Sequence, residues 1–383
     1  MRGTIWEGAV RGNELGGRSN NDQSLEHLFE FCATLPVPLN PCRKPVPQPR
    51  ADLSVTVCNF PTTSEAPLSI RKEAVSAEGN KPEAQELELW DRIRTTEGAE
   101  RAEVLDELSH FAYKKNNYTE CLQLIETSIE IYFSLQSEFH TKELIHLYEG
   151  KAHCHLNLDQ NSEAAEAFET LAGYFCIDEN REGFLRAKRA AGREWYSAGE
   201  YEKSLECHTI VSKELDIDAN DYSMGIDNLN IGMALEQLDR HQEAIPYFLT
   251  SRSLFKKAKN PEFVNWSDRH LTECYLALKN GPEAQFHAQH FFNYSKVTED
   301  LDLEAYARGS LGQALRLQKQ YEEAEEQLRR ALELLTLEGN RDWSNIIEAN
   351  QELAAVLFAQ GKYEEAKARL DRIETIEETM CDT

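Results

Sequence analysis

The sequence predicts an all-α chain built as a solenoid of about seven helix-turn-helix repeats. Three observations predict it. Only three of the twelve prolines lie beyond residue 82, and helix-forming residues take over from there. A pattern then recurs about every 40 residues. Within it, two places twelve residues apart are held by small side chains.

The N-terminal stretch, residues 1–82, is dense in proline, and PVPLNPCRKPVPQPR favours extended, unpacked chain. This segment is expected to be disordered. Its nine basic residues balance nine acidic ones, so the formal charge of −26 belongs to residues 83–383. Only SLEHLFEFCATL (24–35) has an amphipathic period, with Leu25, Leu28, Phe29 and Cys32 on one face. It reads as a short docking helix or as a transient helix in a tail. A helix over 85–95, carrying Leu87, Leu89, Trp90 and Ile93, is expected within a capping segment 83–100, because an open solenoid end must be covered.

The repeats occupy 101–383. AGEYEKSLECH (198–208), QKQYEEAEEQL (318–328) and AQGKYEEAKARL (359–370) share one pattern, in which a small residue stands three after the aromatic. That residue is Cys121, Ala164, Ser204, Ala244, Ala284, Ala324 or Ala366, at separations of 43, 40, 40, 40, 40 and 42. Twelve positions earlier stand Ser109, Ala152, Gly192, Gly232, Thr272, Gly312 and Ala354. A Leu-like residue usually precedes each of these, with Lys151 the exception. Helices that cross closely need small side chains where their backbones approach and bulky ones around that point. The chain should reverse at Asn116, Asp159, Gly199, Asp239, Lys279, Lys319 and Gly361, and Gly, Asn and Asp suit such reversals. Two residues later an aromatic (Tyr118, Tyr201, Tyr321, Tyr363) is placed to pack back onto the first helix, whereas repeats two and five carry Asn161 and Gly281 there.

On these residues the chain resembles the tetratricopeptide repeat: small at motif position 8, large at 11, Gly-like at 15, aromatic at 17, Ala at 20. The 40-residue period exceeds the 34 residues usual for that repeat. It is similar to the longer repeats of kinesin light chains and of Pins/LGN-type adaptors, and implies longer helices and longer inter-repeat loops. The resemblance further implies a right-handed superhelix whose first helices line a concave groove through positions 2, 5, 9 and 12.

Those positions give Arg186, Arg189, Arg193 and Tyr196 in repeat three. Three guanidiniums on one helix face repel one another, so something anionic should meet them. Either they grip carboxylates of an acidic partner segment, which Arg's planar fork suits, or they pair with acidic neighbours such as Glu149 and Asp227. The groove continues through Asn230 and Met233, through Trp266 and Arg269, and through Tyr306, Gln313 and Arg316. Aromatics and arginines dominate binding energy at scanned interfaces. Trp266 reads equally as core. The first-repeat positions are Asp106 and His110, which does not match the Lys and Asn carboxylate clamp of some relatives.

Other classes are set aside on chemistry. A surface this negative repels phosphate backbones and anionic headgroups, so no nucleic-acid or membrane partner is expected. No stretch is apolar enough to span a bilayer, and MRGTIWEGAVRGNELGG lacks a signal's apolar core. Nine scattered cysteines without a C-x-x-C pair suit reduced thiols, and the expected location is cytoplasmic. His146 and His153 share a face, but Cys154 and His155 point elsewhere, so no metal site and no cofactor is expected. His287 and His290 likewise lack a third ligand. Enzyme signatures are absent. The expected function is a non-catalytic adaptor or scaffold that binds a protein or peptide of acidic character. A peptide-responsive sensor and a structural subunit of an assembly are the alternatives, and oligomeric state is left open.

Overall fold

The computed structural model describes residues 82–135, 140–214, 220–336 and 343–381. The proline-rich segment before them, with its amphipathic stretch 24–35, lies outside the described residues. All fifteen described elements are helices: α1 (Pro82–Arg92), α2 (Gly98–Lys114), α3 (Tyr118–Ser134), α4 (Thr141–Asn157), α5 (Asn161–Ile177), α6 (Arg181–Ser197), α7 (Tyr201–Glu214), α8 (Asp221–Gln237), α9 (His241–Lys257), α10 (Pro261–Ala277), α11 (Gly281–Thr298), α12 (Leu301–Leu317), α13 (Tyr321–Thr336), α14 (Trp343–Ala359) and α15 (Tyr363–Cys381). Each helix packs on the next, and α2 to α15 form seven successive hairpins. The fold is an all-α repeat solenoid.

Every predicted reversal is in place. Asn116, Asp159, Gly199, Asp239, Lys279, Lys319 and Gly361 all adopt left-handed backbone, φ between 55° and 82°. There the chain closes one helix with Schellman-type bonds, as from Asn117 N–H to the Ala112 carbonyl. Helices begin again within three residues. At the junctions after repeats two, four and five, Glu179, Lys259 and Glu299 take the same conformation. At the first two of these the connection is three residues long, and at the third it is two. The long inter-repeat loops expected from the 40-residue period are therefore absent at these junctions. The added length goes into the helices, most of which run 17 residues.

Side-chain caps fix where the first helices start. Asn180, Asn220, Asn260 and Asp300 each accept a hydrogen bond from the backbone N–H three residues on, at 2.8, 2.8, 3.2 and 3.0 Å. They stand 40 residues apart, a second periodic signal beside that of the small residues.

The small residues lie where the helices cross. All fourteen are buried. A Cβ at Gly192, Gly232 or Gly312 would sit 2.6 Å from the side chain of His208, Phe248 or Leu328 respectively, each on the second helix of the same hairpin. Bulk and its absence thus alternate across one interface. Tyr118, Tyr201 and Tyr363 fold back edge-on against Tyr113, Tyr196 and Phe358, with ring centroids 5.1 to 5.3 Å apart. Repeats two and five form hairpins without that aromatic. Lys151, the exception in the apolar column, reaches Glu126 at 2.8 Å. The capping helix covers less than its sequence suggested: Leu89 is buried and Ile93 half-buried, but Leu87 is 66% exposed and Trp90 also faces solvent.

Two glycines separate crowding from backbone freedom. Gly232→Ala drives a methyl into the fully buried Phe248 ring and should destabilise the protein by about 2 kcal/mol. Gly173, exposed on α5 with nothing within 4 Å of a Cβ, should instead gain about 0.5–1 kcal/mol on mutation to Ala. Chemical denaturation followed by circular dichroism measures both. Equal and same-signed shifts would contradict the packing account.

Candidate functional site

From α6 onward, the first helices of successive repeats touch one another as well as their own partners, and second helices do not. The face of the first helices is therefore the inner one. Polar side chains there form a ladder from repeat to repeat. His146 Nε2 lies 3.3 Å from Asp106 Oδ2. Arg186, about half exposed, reaches the half-buried Glu149 at 3.8 Å. Arg189 holds Asp227 through two parallel bonds, Nε to Oδ1 at 2.9 Å and Nη2 to Oδ2 at 2.7 Å. Gln313 donates to Glu348 at 2.8 Å, and Arg316 forks onto Glu352.

Two arginines of the predicted stripe are thus paired with Glu149 and Asp227, the acidic neighbours that the structural alternative named. Arg193 differs. It is half-buried, and its guanidinium has no hydrogen bond or ion pair among the described residues. Burial pushes its pKa down, Glu194 opposes that, and the Arg189 charge adds to it. Glu194 acts only through its charge, since the pair makes no hydrogen bond or ion pair among the described residues. His208 beneath it is buried and kept neutral, its pKa pushed down to about 3 by burial and then by Arg193 and Arg189. Glu194 is raised by burial, although Arg193 opposes the shift. Tyr196, one turn further, stacks edge-on against Tyr201 and is raised by burial.

Of the remaining predicted residues, Asn230 is half-buried with no side-chain hydrogen bond among the described residues. Met233 is only 5% exposed and packs in the core with Leu229 and Phe248, so it offers no groove surface. The apolar environment that made it attractive as an anchor is the hairpin's own interior. Trp266, Arg269 and Tyr306 come together. The Arg269 guanidinium lies 4.3 Å from the Tyr306 ring centroid and 5.6 Å from that of Trp266, and it bonds Glu273 at 3.1 Å. The Tyr306 hydroxyl donates to the same carboxylate.

Glu273 and Glu236 are functional-site residues that the sequence reading missed, because in a chain this acidic a carboxylate on a helix reads as solvated surface. They occupy positions 9 and 12 of repeats five and four. Glu236 is buried, and His270 Nδ1 sits 2.7 Å from its Oε2. Burial raises the Glu236 pKa to about 7, against the pull of His270. Burial would raise Glu273 too, but Arg269, His270 and Tyr306 together hold it down at about 2. Burial works against the Arg269 charge, and Tyr306 and Glu273 overcome it to raise that pKa.

The sequence profile of the tetratricopeptide repeat matches residues 303–376, and a second profile of the same repeat matches 228–251. Those two stretches are tetratricopeptide repeats. The profiles fall on repeats six and seven and on repeat four. No curated protein matches the chain. Among solved structures, the tetratricopeptide-repeat sensor STAND protein from Pyrococcus horikoshii is 13% identical over 74% of this chain, which spans 43% of that one, with a TM-score of 0.54. That likeness is one of fold. The kinesin light chain repeats of Podosopora anserina are 18% identical over 51% of this chain and 96% of theirs, at a TM-score of 0.43. The quorum sensor NprR of B. thuringiensis is 16% identical over 77% of this chain and 82% of its own, at 0.45. Among the described residues, no helix is long and apolar enough to cross a membrane.

The carboxylates of repeats four and five make stability depend on pH. Folding raises Glu236 above its ordinary value of 4.5, so its contribution is complete below that value and lost as pH rises through about 7. His270 is also raised, by Glu236 above all and against burial, so its contribution disappears in the same direction above 6.5. Glu273 acts only at the acid end, where its contribution is lost from 4.5 down towards about 2. The melting temperature should therefore fall between about pH 5 and about pH 8, and Glu236→Gln should flatten that fall. An identical pH profile in the variant would rule this cluster out as the cause.

Proposed function

We propose that this protein is a non-catalytic adaptor whose inner tetratricopeptide face captures an acidic segment of another protein. The observation that carries this reading is the Arg193 guanidinium, half-buried in the row of first helices while its neighbours Arg186 and Arg189 are neutralised. A guanidinium left in that position costs stability, and a carboxylate from outside is the group its planar fork fits. Asn230, with its amide uncommitted, is placed on the next repeat to bond the backbone of an extended segment. Trp266 and Tyr306 supply aromatic surface further along. The free, mostly buried thiols, Cys121, Cys154, Cys207 and Cys274, fit a reducing compartment, and the cytoplasm is the natural assignment.

Partner capture from native extract tests the reading. The wild type should retain a partner that Arg193→Glu loses and that Arg330→Glu, altered on an exposed second-helix pair with Glu333, keeps. Retention of every partner by the Arg193 variant would remove the groove from consideration. A second measurement separates function from folding. Arg193→Met removes an unpaired, half-buried charge, so it should leave thermal stability equal or higher while losing the partner. A lower melting temperature would show that Arg193 serves the fold.

A further inference from the structure

Asp106 and His110 stand one turn apart on the inner side of α2, and His146 faces them from the start of α4. One ligand atom from each of the three lies within 4.8 Å of the other two. We propose that these residues form a three-ligand site for a divalent transition metal ion of the zinc type, bridging repeats one and two.

The chemistry of the donor set fits. Two imidazoles and one carboxylate are ligands that zinc accepts, with bonds near 2.0–2.1 Å and so about 3.3 Å between neighbouring ligand atoms in a tetrahedron. His146 Nε2 and Asp106 Oδ2 are already 3.3 Å apart. His110 Nδ1 lies 2.7 Å from the main-chain carbonyl of Asp106 and donates to it, which leaves the lone pair on Nε2. A backbone carbonyl that fixes the tautomer of a histidine is the usual outer partner of a metal ligand. The two rings lie nearly parallel, 11° apart in plane with centroids at 5.3 Å. These side chains are 19%, 39% and 30% exposed for Asp106, His110 and His146, leaving the fourth position open to the groove. The second cluster with metal-type donors, Glu236, His270 and Glu273, is already filled by Arg269 and Tyr306 bonds to Glu273. One divalent ion on a single carboxylate would give the first two repeats a local positive charge in a chain of formal charge −26.

The test uses the full chain without a histidine tag, stripped with a chelator and titrated with zinc chloride by calorimetry. Visible absorption after addition of cobalt(II) reports the coordination geometry. The expected result is one ion per chain, with affinity reduced about a hundredfold or more in His110→Ala and in His146→Ala. His290→Ala, exposed on α11, should bind as the wild type does. Asp106→Asn keeps the shape of the side chain and should also weaken binding, while circular dichroism verifies equal helicity in every variant. Saturable binding that survives the His110 and His146 double variant overturns the proposal. So does the absence of saturable binding by the wild type, or loss of binding in His270→Ala instead.

Discussion

Everything in this solenoid depends on how closely the two helices of each hairpin approach. The crossing is set by a small residue on the first helix meeting a larger side chain on the second, as Gly232 meets Phe248 and Gly312 meets Leu328. Once that distance is fixed, the turn must be short, and left-handed residues close it within three positions. Short turns put the next crossing at a constant offset, and the 40-residue period results. An isolated hairpin cannot bury its outer faces, so each repeat relies on the next for a complete core.

The inner face solves a different problem. A chain with this excess of carboxylates concentrates like charge when its first helices are brought side by side. The ladder places a cation or a polar hydrogen opposite most of those carboxylates: Arg189 on Asp227, His270 on Glu236, Arg269 and Tyr306 on Glu273, Arg316 on Glu352. Where burial outweighs pairing, protonation takes over, and burial lifts the Glu236 pKa to about 7 in spite of His270. Against that background an uncommitted cation is the exception, and this gives Arg193 its weight.

The fold could be read from the sequence because backbone approach tolerates very few residue types. Small side chains at 152, 192, 232 and 312, and reversals at 116, 159, 199 and 239, mark steric requirements that any chain making these hairpins must meet. The inner face was legible only in part. Its positions came from the repeat register, but which side chains meet across repeats depends on rotamers and on the offset between neighbouring hairpins. Arg186 and Arg193, seven residues apart on one helix, look alike in sequence and differ because Glu149 faces the first and a neutral histidine lies under the second. His146 was read with His153 along its own helix, whereas its near neighbours are Asp106 and His110 on another; His153 packs on Phe168 instead. Met233 was misplaced for a related reason, since position 9 turns inward in repeat four.

The ladder is not uniform. Between the first helices of repeats three and four, the bidentate Arg189 bond ends on a carboxylate with no solvent access, so prising those helices apart would strand a bare charge. Between repeats two and three, the corresponding link is the partly exposed 3.8 Å contact of Arg186 with Glu149, which water and salt replace at little cost. The apolar packing runs the other way: one buried core joins repeats two and three, from Ala152 to Cys207, beneath the weak rung, and another begins at Leu229 beyond the strong one. Where the polar link is loose the shared core holds the repeats together, and where one core gives way to the next the buried ion pair fastens them.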